Sequence, residues 1–160
     1  MTLSRTLLIL LAAGGSAAIL AGAFAFQYIG GLAPCQLCLW QRWPHAAAIG
    51  IGVLALLLPS GLMGALLPRL GALAALATAG IGAFHVGVEQ KWWQGLASCT
   101  AGSIEGLSGA ELLDPTLDVG AVVRCDEIAW ALGGISMAGW NVILSVGFVV
   151  LWIMAARRAA

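Results

Sequence analysis

Four cysteines are the most reactive side chains of this chain, and they fall into two groups. Cys35 and Cys38 form a C-x-x-C inside the stretch APCQLCLWQRWPH at residues 33–45, whereas Cys99 and Cys125 stand far apart in a later, acidic segment. C-x-x-C thiols exchange readily between dithiol and disulfide, with an acidity set by the local field. Three kinds of chemistry fit four thiols. Four thiolates suffice for a zinc site, but only one C-x-x-C is present and the other two cysteines are widely separated. Structural disulfides would staple loops, but a C-x-x-C closes too small a ring to restrain much chain. The third reading, a redox relay between two thiol pairs, is the one the neighbouring residues favour.

Those neighbours include a fixed cation. With a helix starting near Pro34, which tolerates a first-turn position because its missing N–H is not needed there, Cys35, Cys38 and Arg42 fall at i, i+3 and i+7 on one face. A guanidinium one turn from Cys38 would stabilise a thiolate there, or bind a ketone oxygen that gains negative charge on reduction. A cation at the membrane edge is costly and points to function; the plainer reading is that Arg42 snorkels to the headgroups. Pro44 removes one helical hydrogen bond and is a candidate kink. Trp40 and Trp43 are either interfacial belt residues or walls of an aromatic pocket.

The elements that must hold these residues are membrane spans. Of the 160 residues 61% are hydrophobic and 9% charged, far below the roughly 25% charge of a soluble domain. Abundant Ala and Gly suit close helix packing in lipid. Four stretches approach the roughly 20 apolar residues that cross the hydrocarbon: about 7–29, 38–58, 70–88 and 135–156. In lipid the backbone must satisfy its own hydrogen bonds, so these are helices, and no period-two alternation suggests a barrel. The expected fold is therefore all-α: one integral membrane four-helix bundle, residues 1–160, with outward loops at about 30–37 and 89–134.

Charge sets the orientation. Arg5, Arg69, Arg157 and Arg158 share one side of such a four-span chain, which the positive-inside rule makes cytoplasmic, both termini included. All seven acids lie between Glu89 and Glu127, and all four cysteines then face outward. Arg42, Lys91 and Arg124 are exceptions to the bias. Ala23-Phe24-Ala25 also fits an A-x-A cleavage site, which would leave three spans. No basic stripe marks a nucleic-acid partner.

In the second loop, Gly, Ser, Asp and Pro predict an irregular path, with a short helix around residues 125–132 that would lay Trp130 along the membrane surface. Trp92, Trp93 and Trp140 read as interface anchors, and Gln27 and Tyr28 as interfacial. His85 and Glu89 stand at i, i+4 near the outward end of the third span. They are candidates for holding a ligand or passing protons, although simple pairing is the plainer role. His45 is ambiguous in the same way. Asn141 reads as interhelical glue.

Three motifs carry a resemblance over nearly the whole chain: PCQLCLWQRWP at 34–44, FHVGVE at 84–89 ahead of Cys99, and CDEIAW followed by GISMAGW within 125–140. They resemble the disulfide bond formation protein B (DsbB) family of bacterial inner-membrane thiol oxidases. The resemblance implies a protein-dithiol:quinone oxidoreductase. Cys99 and Cys125 would form an outer disulfide that reoxidises a periplasmic thioredoxin-like, DsbA-like oxidase, with Cys99 taking the mixed disulfide. Cys35 and Cys38 would refill that pair through a transient Cys35–Cys125 bridge. Cys38 would face a ubiquinone or menaquinone that Arg42 helps to hold, with His85 and Glu89 as further candidates. No resident metal is expected. Alternatives are a branch of the family dedicated to one special partner, or a non-enzymatic protein that is disulfide-stapled or metal-binding. An enzyme of the vitamin K epoxide reductase type would carry its C-x-x-C near a late helix, unlike this chain.

Overall fold

The computed structural model describes residues 3–58, 63–96 and 123–158. Four helices dominate it: α1 (Arg5–Tyr28), α2 (Gln36–Leu57), α3 (Met63–Glu89) and α4 (Met137–Arg157). Each of α1, α2 and α4 opens on a side chain that accepts a hydrogen bond from the first turn: Ser4 from Leu7 N–H, Cys35 from Cys38 N–H, and Ser136 from Gly139 N–H. Serine is a favoured cap for this reason. The cysteine at the head of α2 is an unusual one.

The helices form a ring in chain order. α3 packs most extensively on α4 and α2, while α1 closes the ring between α2 and α4. The buried positions of α3, among them Gly64, Leu67, Gly71, Ala75, Thr78, Gly82 and His85, recur every three or four residues and are mostly small. Small side chains let helices approach closely where no hydrophobic drive acts between them. Gly71 shows the requirement: a Cβ there would lie 2.6 Å from the Trp152 indole. Trp152 centres an apolar cluster with Leu8, Ile9, Ala12, Ala55, Leu67, Ala75 and Ala155. Outward faces carry exposed leucines such as Leu10, Leu11, Leu73 and Leu76, as expected of helices apolar all round. By length and composition α1, α3 and α4 are apolar enough to cross a membrane. α2 is diluted by Gln36, Gln41, Arg42 and His45 in its first half, where Gln41 and His45 are buried inside the bundle.

At one end the Arg5 guanidinium donates to Ala55 O and Gly64 O, tying α1 to the end of α2 and the start of α3. The thiols occupy the opposite end. There α3 closes with hydrogen bonds from Lys91 N–H to Val88 O and from Trp92 N–H to Gly87 O. This closing turn usually has glycine at its left-handed position; here Lys91 takes it, at φ 59°.

Three local expectations change. The helix forecast around residues 125–132 does not form: 125–130 is irregular, and a two-strand antiparallel hairpin follows, β1 (Ala131–Leu132) and β2 (Ile135–Ser136). Gly133 and Gly134 turn it at φ 59° and 79°, a left-handed pair that no helix contains. Pro34 lies one residue ahead of the cap, so α2 starts at Gln36. The third helix begins at Met63, before the predicted 70, and runs through Pro68.

Candidate functional site

The site starts at the cap of α2. Cys35 Sγ accepts from Cys38 N–H at 3.2 Å and donates to Cys38 Sγ at 2.8 Å. Both are free thiols. The N-terminal end of a helix favours negative charge, so these sulfurs occupy the position on α2 best suited to a thiolate. The hydrogen bond with Cys38, and then burial, push the Cys35 thiol well above its usual range. Cys38 is the sulfur that accepts the hydrogen bond from Cys35.

α3 adds an imidazole and a carboxyl. His85 Nε2 stands 3.6 Å from Cys35 Sγ and 3.9 Å from Glu89 Oε1. Glu89 in turn accepts from Ser136 Oγ at 2.5 Å, so the residue that caps α4 also holds the carboxyl of α3. Cys35, Cys38 and His85 place three soft ligand atoms within 4.8 Å of one another. The hairpin segment supplies Cys125, which is wholly buried and disulfide-bonded. It shares a buried cluster with Cys35, Leu37 and Val88, and its backbone hydrogen-bonds the His85 ring.

Beside the sulfurs lies an apolar cavity of about 320 Å³, in the range of small-molecule sites. Cys35, Cys38, Arg42, His85 and Glu89 contribute to its wall. Arg42 donates to Gln27 Oε1 at 2.6 Å and to Ala23 O at 3.4 Å, and its guanidinium lies 4.9 Å from the Phe24 ring centre. Its buried Nε has no partner. A cation in the wall of an apolar cavity suits a ligand that brings an acceptor oxygen and a hydrophobic body.

The structure brings together Cys35, Cys38, Arg42, His85 and Glu89, and places Cys125 against the first of them. Cys99 lies outside the described residues. Several residues take roles other than those read from the sequence, and Phe26 was not singled out there. Gln27, expected at the interface, is the anchor of Arg42. Trp40 and Trp43 are exposed and absent from the cavity wall. The aromatic walls come instead from Phe26, Trp130 and Trp140, with Phe26 and Trp130 packed 5.0 Å apart. Trp93, expected as a membrane anchor, folds back on α3 and donates to Phe84 O. Its indole occupies the space that a side chain at Gly87 would need.

Comparison with known proteins is consistent with this arrangement. The family model described as "Disulfide bond formation protein DsbB" matches residues 4–155. Disulfide bond formation protein B 2 of Pseudomonas savastanoi pv. phaseolicola is 35% identical over 158 residues, covering 94% of this chain and 88% of the relative. Disulfide bond formation protein B 2 of Pseudomonas aeruginosa is 32% identical over 157 residues, covering 91% and 85%. The protein B of Hahella chejuensis is 29% identical over 149 residues, covering 87% and 86%. No solved structure matches the chain. The matched region runs from the cap of α1 almost to the end of α4 and so takes in the thiol pair, the cavity and the hairpin together: this multi-pass membrane chain belongs to the disulfide bond formation protein B family.

Proposed function

We propose that the protein is a membrane oxidase that renews the disulfide of a periplasmic thioredoxin-like, DsbA-like partner and passes the electrons to ubiquinone or menaquinone. One observation carries this reading. A free dithiol sits between a disulfide-bonded cysteine and an apolar cavity walled in part by the Arg42 cation. Electrons can enter on one side of Cys35–Cys38 and leave on the other.

In this scheme Cys99 and Cys125 form the outer pair, and Cys99 exchanges with the partner. A partner dithiol reduces that pair and becomes a disulfide. The outer dithiol then reduces a Cys35–Cys38 disulfide through a Cys35–Cys125 bridge, which their common cluster makes short. Each exchange is thiolate attack at sulfur, with rates that follow thiolate fraction and access. Cys38 presents its sulfur to the cavity, and Cys35 gives up its proton as the disulfide closes. Arg42 would attract the ligand oxygen through its positive charge, while Phe26, Trp130 and Trp140 would exclude water from the cavity. A bound quinone supplies the sink for two electrons and two protons, the same number that one dithiol releases on becoming a disulfide. The positive-inside rule, applied to Arg5, Arg69, Arg157 and Arg158, supports the orientation this scheme uses: both termini in the cytoplasm of a bacterial inner membrane, and both loops of one four-span domain in the periplasm.

The test is anaerobic. Purified protein is mixed with a reduced thioredoxin-like oxidase and a soluble quinone analogue, and quinol formation is followed. One quinol per partner disulfide is expected. Cys38→Ser and Cys99→Ser should each abolish it. No quinol from the wild-type protein would end this reading.

A further inference from the structure

Behind the thiols a chain of buried polar side chains crosses the bundle, and its direction can be worked out. Gln41 Nε2 contacts Leu37 O at 3.0 Å and His85 Nδ1 at 3.1 Å. A backbone carbonyl only accepts, so the atom facing it is the amide nitrogen. Gln41 Oε1 therefore faces Asn141, whose Nδ2 donates to it at 2.7 Å. Asn141 is fixed in the same way: its Nδ2 also donates to Thr78 O at 3.3 Å, so Oδ1 is left to accept from His45 Nε2 at 2.8 Å and Ser145 Oγ at 3.3 Å. Two backbone carbonyls, on different helices, thus set every amide in the chain. Gly82 is where α3 admits this array, since a Cβ there would lie 3.1 Å from Asn141 Nδ2 and 3.3 Å from Gln41 Oε1.

The consequence falls on His85. With Nδ1 accepting from Gln41, the single proton of the neutral ring sits on Nε2. That nitrogen faces Cys35 Sγ and Glu89 Oε1, both acceptors, and the ring also donates to the backbone of Cys125. The trio Cys35, Cys38 and His85 has the ligand types and spacing of a thiolate–imidazole metal site. A metal-binding histidine, however, needs a bare lone pair toward the metal and donates its other N–H to an acceptor. Here the outer partner is itself a donor. A metal on Nε2 would require a proton on Nδ1, pointing at the N–H of Gln41.

We infer that Gln41 is the positioning residue that keeps the Cys35–Cys38–His85 trio a sulfur-exchange centre and not a metal centre, by holding His85 as an Nε2–H donor toward the thiols. The tautomer assignment stands on geometry alone; the benefit, thiols left available to exchange, rests on the oxidoreductase reading above.

Two readouts test it without any quinone. Nitrogen-15 spectra of histidine-labelled, reduced protein in detergent, with His85 assigned by loss of its signals in His85→Asn, should show the ring protonated at Nε2. A proton at Nδ1 overturns the inference. The second readout is cobalt(II) titration, followed by thiolate-to-metal absorption, in a Cys99→Ser, Cys125→Ser background so that only the inner thiols can bind. Gln41→Glu turns the donor into an acceptor, allows a proton on Nδ1, and should tighten cobalt binding by about 10- to 100-fold, an increase that His85→Asn removes. Equal affinity in the two proteins overturns the inference. If Gln41→Glu does not fold, Gln41→Leu removes the donor without adding charge and should still tighten binding, and the wild-type spectrum decides by itself. Quinol formation by the wild-type protein is measured separately, so failure of the proposed activity and failure of the tautomer assignment are distinguishable.

Discussion

Arg42→Lys keeps the positive charge but removes the fork. In the structure the guanidinium is held from behind by Gln27 Oε1 and Ala23 O and flanked by Phe24, which leaves Nε as the donor without a partner. A lysine ammonium has no second nitrogen with which to stay anchored while bonding a ligand oxygen. If it reaches Gln27 it leaves the cavity; if it turns to the cavity it abandons Gln27. The loss is one charge-assisted hydrogen bond, about 1.5–3 kcal/mol. At 1.4 kcal/mol per tenfold, the quinone KM should rise roughly 10- to 150-fold. Exchange of the outer pair with the partner, measured as mixed disulfide formed with no quinone present, should be unchanged. Gln27→Leu, which loosens the fork without touching Nε, should give a smaller rise in KM. The assay is steady-state quinol formation at saturating reduced partner with the quinone varied. A KM for Arg42→Lys within twofold of wild type would show that the guanidinium does not bond the ligand. An equal fall in both half-reactions would show that the substitution acts on the fold.

Three further outcomes can be checked. Asn141→Leu removes the two short bonds to Gln41 and His45; at about 0.6 kcal/mol per interhelical bond, and at most about 1.7, it should cost roughly 1–3 kcal/mol in reversible unfolding from mixed micelles. Pairing it with His45→Leu should recover part of that cost. Arg124 holds the Asp126 carboxyl down to about 2 through hydrogen bonds at 2.9 and 2.8 Å. Because the value is lowered, the charged pair persists above the ordinary carboxylate range and is lost only as pH falls through about 2. A carbon-13 carboxyl titration should show no Asp126 step above pH of about 3, and Arg124→Gln should bring the step back to about 4. Ser136→Ala removes both the cap of α4 and the bond to Glu89; losing the cap alone costs about 0.5–2 kcal/mol, read as a lower midpoint in thermal unfolding.

The sequence made the apolar helices visible because their signal is local: enough hydrophobic residues in a row, with arginines at the ends. The thiol pair and Arg42 were visible because they lie within two turns of one helix. Partners on other elements were harder to see. Gln41 and Asn141 come from α2 and α4, at diagonal corners of the ring, and no periodicity tells which face of one helix meets which face of another. Gln27 looked like an interfacial residue because nothing local reveals that a guanidinium will reach it. The aromatic walls were misplaced for the same reason. Trp40 and Trp43 are near the cysteines in the chain but point outward, whereas Trp130 reaches the cavity through a hairpin. The approach to that hairpin, residues 125–132, reads as a helix because its apolar spacing fits one, whereas the structure is irregular there and turns at Gly133-Gly134.

The Trp152 cluster has a consequence for membrane energetics. Beyond the amides and His45 the bundle is filled by leucine, isoleucine, alanine and one indole packed on glycine, and this cluster holds no carboxyl or imidazole among the described residues. Such a plug is an insulator. In the proposed reaction, hydrogen ions released by the sulfurs and taken up by the quinone would then both be exchanged on the sulfur side. Turnover in sealed vesicles should therefore be electrically silent, neither building nor spending a transmembrane voltage.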